Sequence, residues 1–111
     1  MGTIPADKLN EVAMQVILHA GDARAHCSAA MEALYMEDLE TFRKKMELTR
    51  QEITIAHNLQ TETIQNTIEC DEQPVTLLFI HAQDTLMTIH SEISMVHHMY
   101  RMYCKLQKIE E

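Results

Sequence analysis

Near the start of the last apolar stretch, the run Leu77-Leu78-Phe79-Ile80-His81-Ala82-Gln83-Asp84 sets a histidine and a carboxylate one helical turn apart. An imidazole is a competent nucleophile near neutral pH, and burial or a charged neighbour readily tunes its protonation. His81 is therefore a candidate for covalent group transfer, set against the commoner role of a histidine as a hydrogen-bonded packing residue. A carboxylate amid apolar side chains is costly unless it is paired, hydrogen-bonded or bound to a cation. Asp84 reads either as such a ligand or as an aspartate near a helix start that simply reaches solvent.

The remaining polar residues offer less chemistry. His97 and His98 are adjacent, so at about 100° per residue they diverge on one helix and cannot chelate together. The chain has no His-x-x-x-His pair and no Cys/His ligand grouping, which argues against a zinc site of the usual kind. His19, His26 and His90 read as surface or boundary residues. His57 is open to two readings, shaping a pocket or making a buried hydrogen bond. Arg24 suits a salt bridge within the fold, and Glu40 with Lys44 forms a solvated i,i+4 pair.

These residues must be positioned by helices. The 111 residues contain only two glycines and two prolines, so the punctuation that turns require is scarce. One domain, residues 1–111, follows from the length. Three helices are expected at about 5–35, 39–69 and 76–109, in an all-α, antiparallel, up-down-up bundle. The first carries the stripe Leu9, Val12, Ala13, Val16, Ala20, Ala23, Cys27, Ala30, Met31 and Leu34 at spacings of three and four. The second carries Leu39, Phe42, Met46, Thr49, Ile53 and Ala56, then turns polar through Gln60, Thr63 and Thr67. Asp38 is the expected N-cap of that helix, and Glu69 to Pro74 the one obvious loop.

The third helix is apolar on two sides. Leu78, Ala82, Leu86, Ile89, Ile93, Val96, Tyr100 and Tyr103 make an ordinary core stripe. Leu77, Ile80, Asp84, Met87, Ser91, Met95 and Met102 lie nearly opposite, leaving Gln83, His90, Ser94, His97 and Arg101 for water. A helix apolar nearly all round is buried nearly all round, and two partner helices cannot do this. Self-association is the expectation, with Met14, Leu18, Gly21 and Ala25 of the first helix as a second off-core stripe. The alternative is scattered surface apolars, common on any monomer. If Asp84 lies on a symmetry axis, converging carboxylates demand a proton or a hard divalent cation such as Mg2+.

Composition narrows the class further. A net charge of −8 argues against nucleic-acid binding, which needs clustered Lys and Arg. Three cysteines without Cys-x-x-Cys spacing fit a reducing compartment. No apolar run approaches the roughly 18 residues of a membrane span and no signal peptide is evident, so a cytoplasmic location is expected.

Ile80-His81-Ala82-Gln83-Asp84 followed by Leu86-Met87-Thr88 resembles the signature of enzyme IIA of the lactose/cellobiose-type sugar phosphotransferase system. Gly21-Asp22-Ala23-Arg24 and Ala56-His57-Asn58-Leu59-Gln60-Thr61 followed by Ile64-Gln65 resemble two further segments of it, in the same order and spacing. The likeness covers roughly residues 10 to 105. It implies a homotrimer of three-helix subunits acting as a phosphotransferase component. His81 would become a phosphohistidine, charged by the phosphocarrier protein HPr and discharged to a cysteine of enzyme IIB. Asp84 would meet its symmetry mates around one structural Mg2+ or other divalent cation per trimer, with Gln83, Thr85 and His57 in supporting places. Two positions depart from the pattern: Thr85 stands where a second histidine is common, and Glu37 replaces the glycine usual in the first connection. The rival readings are a histidine phosphotransfer signalling bundle, which typically has lysine and glycine shortly after its histidine, and a helical adaptor with no chemistry.

Overall fold

The computed structural model describes residues 3–67 and 72–111. Three helices and no strand occur among them: α1 (Ala6–Tyr35), α2 (Leu39–Thr67) and α3 (Leu77–Gln107). The expected spans agree to within two residues at each end that is described. The stretch 68–71, including Cys70 and the start of the expected loop, lies outside the described residues.

Local chemistry sets the boundaries. Pro5 occupies the N-cap position of α1, where its missing N–H costs the helix no bond. Asp38 caps α2 as expected: its carboxylate accepts the Thr41 N–H at 3.1 Å and the Thr41 hydroxyl at 2.7 Å. Those two bonds, the hydroxyl's first, hold the Asp38 carboxyl below its usual range. The Thr76 hydroxyl accepts the Phe79 N–H at 3.1 Å and opens α3. Lys108 closes α3 in the left-handed conformation, with φ at 58°. Between α1 and α2, Glu37 takes a φ of 60°. That is the conformation for which glycine is suited, so the departure noted at this position leaves a side chain in a glycine's place.

α1 packs along both other helices, whereas α2 and α3 touch each other little. The surface that α1 offers is largely alanine: Ala13, Ala20, Ala23 and Ala30 are fully buried. Small side chains let its neighbours approach closely, and their own larger residues fill the space between. Around the first half of α1, Leu9, Val16, Ile53, Phe79, Leu86 and Ile89 form one cluster. Around its second half, Cys27, Leu34, Phe42, Val96, Tyr100 and Cys104 form another. There the Phe42 and Tyr100 rings stack at 4.4 Å between centroids. The Tyr100 hydroxyl accepts from Arg43 Nε at 3.1 Å and donates to the Glu111 carbonyl at 2.9 Å. Cys27 and Cys104 are buried free thiols, and burial pushes the Cys27 thiol up.

The core stripes match expectation with small rotations. On α3, Phe79 is buried and Leu78 only half-buried, the reverse of the expected order. Tyr103 and Ile93 are half-buried, and Cys104 joins the core. The outer stripe of α3 is open to solvent in the single chain, with Ile80 at 45%, Met87 at 64%, Met95 at 56% and Met102 at 61% of full exposure. Met14, Leu18, Gly21 and Ala25 of α1 are exposed as well.

Candidate functional site

His81 lies in the second turn of α3, one turn beyond the Thr76 cap. Its neighbour Ala82 is fully buried against the core, whereas His81 itself is exposed. Asp84 is exposed one turn on, within the uncovered apolar stripe. At about 100° per residue the two side chains diverge by about 60°, so they share a side of α3 without one blocking the other. The backbone carbonyl of Asp84 accepts a 2.8 Å bond from the Thr88 hydroxyl. Its carboxylate has no ion-pair partner among the described residues.

Thr85, one turn after His81 on the adjoining side, is half-buried. Gln83 is exposed and, two residues from His81, projects about 200° away around the helix. The supporting residues therefore divide: Thr85 stands with His81, and Gln83 does not. His57 departs from one expectation. It is exposed on α2 and makes no buried hydrogen bond. Its Nε2 lies 3.4 Å from the Thr61 hydroxyl, and its ring meets that of His90 edge-on at 5.8 Å between centroids. The sparse contact between α2 and α3 leaves that seam open enough for His57 to stay exposed beside His90.

The remaining candidates fall where local reasoning put them. Arg24 forms a bidentate pair with Glu92 at 2.9 and 2.8 Å, joining α1 to α3. Lys44 and Glu40 meet at 3.4 Å. His19, half-buried, places Nδ1 2.6 Å from the Glu52 carboxylate, a partnership that no sequence spacing foretold. Among the described residues no group of three or more His, Cys, Asp and Glu could hold a metal ion. Asp84 is the one carboxylate of the outer α3 stripe, and a lone carboxylate does not make a site for a hard cation, which takes about six or more oxygen ligands.

An exposed imidazole on a helix, with the exposed apolar side chains of Leu77 and Ile80 close in sequence, can meet a reacting group on another macromolecule. That arrangement fits what comparison with known proteins finds. Residues 11–104 match the family described as PTS system, Lactose/Cellobiose specific IIA subunit, and the chain belongs to that family. It is a phosphotransferase component.

Among its relatives is the lichenan-specific phosphotransferase enzyme IIA component of Bacillus subtilis, 34% identical over 100 residues that cover 90% of this chain and 91% of that protein. The lactose-specific EIIA component of Lacticaseibacillus casei is 31% identical over 94% of this chain and 93% of its own length. The N,N'-diacetylchitobiose-specific EIIA component of Escherichia coli K12 is 34% identical over 75% of this chain and 72% of its own. No solved structure matches. Among the described residues no helix is long and apolar enough to cross a membrane.

Proposed function

We propose that this protein is a phosphocarrier in sugar uptake, taking a phosphoryl group from phospho-HPr onto His81 and handing it to the cysteine of a cognate enzyme IIB. One observation carries the reading: within the family-matching region, His81 is an exposed imidazole beside an apolar surface that its own chain leaves uncovered. A neutral ring nitrogen of His81 forms the new N–P bond as the N–P bond of the donor's phosphohistidine breaks. The IIB thiolate then forms an S–P bond and releases the His81 imidazole. Transfer of this kind depends on in-line positioning and charge stabilisation more than on covalent machinery. A docking partner expels water from the apolar surround at the moment of transfer. Side chains on a helix tilt toward its N-terminus, so a phosphoryl group on His81 leans toward the positive end of the α3 dipole.

The subunit works as an up-down-up bundle within a homotrimer, its outer α3 stripe turned toward the other copies. Gly21 supports that assembly. A mid-helix glycine costs about 0.5–1 kcal/mol relative to alanine, and among the described residues nothing beyond its adjoining helix backbone lies within 4 Å of where a Cβ would stand. A neighbouring helix gives the residue a purpose. Asp84, lacking an ion-pair partner on that same stripe, is then brought together with its two copies. The three carboxylates have the oxygen chemistry to hold one Mg2+ or similar divalent cation, which would offset their mutual repulsion. The specificities of relatives for lichenan, lactose and N,N'-diacetylchitobiose support a transported sugar of that kind, with cellobiose-like β-glucosides preferred.

The test is incubation with phosphoenolpyruvate, enzyme I and HPr, read by intact mass. The chain gains one acid-labile phosphate, and His81→Ala gains none while keeping its circular dichroism spectrum. Normal labelling of His81→Ala refutes the assignment of the nucleophile. A helical adaptor, lacking transfer chemistry, gains nothing even as the unaltered chain.

A further inference from the structure

The seam between α2 and α3 is the weakest packing in the fold, yet two histidines meet across it. His57 of α2 and His90 of α3 are both exposed, and their rings approach edge-on with centroids 5.8 Å apart and planes inclined at 72°. Neither is a core residue, and the N–P bond made and broken at His81 involves neither ring. A metal ion with M–N bonds of about 2.1 Å and a tetrahedral N–M–N angle holds its two imidazole centroids about 5 Å apart. The observed spacing lies within reach of that by rotation of two exposed side chains. Among the described residues the one hydrogen bond of the His57 side chain, between Nε2 and the Thr61 hydroxyl at 3.4 Å, is long and easily given up.

We propose that His57 and His90 form a two-histidine site for a borderline divalent transition-metal ion such as Zn2+, Ni2+ or Cu2+, which ties α2 to α3. Imidazole nitrogen selects these ions, whereas Mg2+ takes oxygen, so the site differs in chemistry from any carboxylate site at Asp84. No third His, Cys, Asp or Glu completes a cluster among the described residues. The remaining coordination positions therefore stay open to water or an exogenous ligand. His90 also borders a groove between α2 and α3 whose lining includes Ile53, Ile93, His97 and the cationic Arg43 and Arg50, with His57 outside it. A bound metal would add a second tie between α2 and α3, away from the stacked Phe42 and Tyr100 rings.

Thermal unfolding of the full chain with NiCl2, in buffer free of imidazole and chelators, tests this. At about a hundredfold excess over its dissociation constant, an ion bound by the folded state alone shifts the unfolding equilibrium about a hundredfold. The melting temperature rises accordingly. His57→Ala and His90→Ala each abolish the rise, and the double variant loses no more than either single one, because one ligand without the other does not form the site. The rise persists in His81→Ala and in Asp84→Leu. Absence of a rise in the unaltered chain overturns the proposal, as does a full rise in either His57→Ala or His90→Ala. Phosphorylation of His81 is read separately by mass, so failure here is distinct from failure of the phosphocarrier assignment.

Discussion

The two faces of α3 are almost equally apolar and have opposite fates. Ala82, Leu86, Ile89, Val96 and Tyr100 are buried, whereas Ile80, Met87, Met95 and Met102 stand in solvent on the other side. Their compositions differ in kind. The inner face combines alanine, branched and aromatic side chains, whose restricted shapes fit one fixed neighbour, the alanine surface of α1. The outer face is mostly methionine, an unbranched and adaptable side chain, with a lone carboxylate at Asp84. Apolar periodicity thus says that a face must be covered. The shapes along it separate the face that the chain itself covers from the face it leaves in solvent.

The comparison breaks first at Met87. On the trimeric reading, Met87→Asp sets three unpartnered carboxylates into the subunit contacts, a burial that costs several kcal/mol per charge. We expect the assembly to fall to monomers in sedimentation equilibrium while helicity is retained, since Met87 is largely exposed in its own chain. A trimer undiminished by this change places the contact elsewhere. The inner face answers differently. Ile89 is fully buried, and Ile89→Ala should cost about 2–5 kcal/mol of folding stability in urea titration. A loss below about 1 kcal/mol there would mean that the inner face is as loosely packed as the outer.

Asp84→Leu sharpens the same contrast with a smaller effect. It exchanges a carboxylate for packing area, and replacing buried charge by apolar volume is often neutral or stabilising by about 1–4 kcal/mol. The expected outcome is a trimer that persists and no longer takes up Mg2+ in equilibrium dialysis. Retained binding at the original stoichiometry removes Asp84 from any metal role.

How much of this was legible beforehand depended on how local the cause was. The α2 seam of Phe42, Thr49, Ile53, Ala56, Gln60 and Thr63 is buried as its spacing indicates, polar members included. The Asp38 cap was equally readable, because its partner Thr41 is three residues away. Phe79 and Leu78 were not separable: they flank the core line of α3 on opposite sides, and burial goes to whichever flank another helix covers. That His57 makes no buried hydrogen bond was hidden for a related reason. Its exposure depends on α2 and α3 remaining apart, which no single helix encodes. The partners joined across helices, Arg24 with Glu92 and His19 with Glu52, could be recognised as charged or polar positions but not matched. At the candidate site, the apolar setting and the spacing of His81 and Asp84 were visible at once. The division of Thr85 from Gln83 followed only once α3 was in place.

The smallest expected effect lies off both faces of α3, in the connection between α1 and α2. Glu37 holds φ at 60°, where a Cβ crowds the following carbonyl and glycine does not. Its exposed side chain takes part in no hydrogen bond among the described residues, so removing it sacrifices no contact. Against that relief stands the greater freedom glycine gives the unfolded chain, which offsets part of the gain. Glu37→Gly should therefore raise folding stability by about 0.5–1 kcal/mol, measured as a higher urea midpoint with an unchanged slope. Because the change touches neither α3 stripe, the association constant of the subunits should not move. If stability and association rise together, folding and assembly are one transition. The inner and outer faces would then be two parts of a single core.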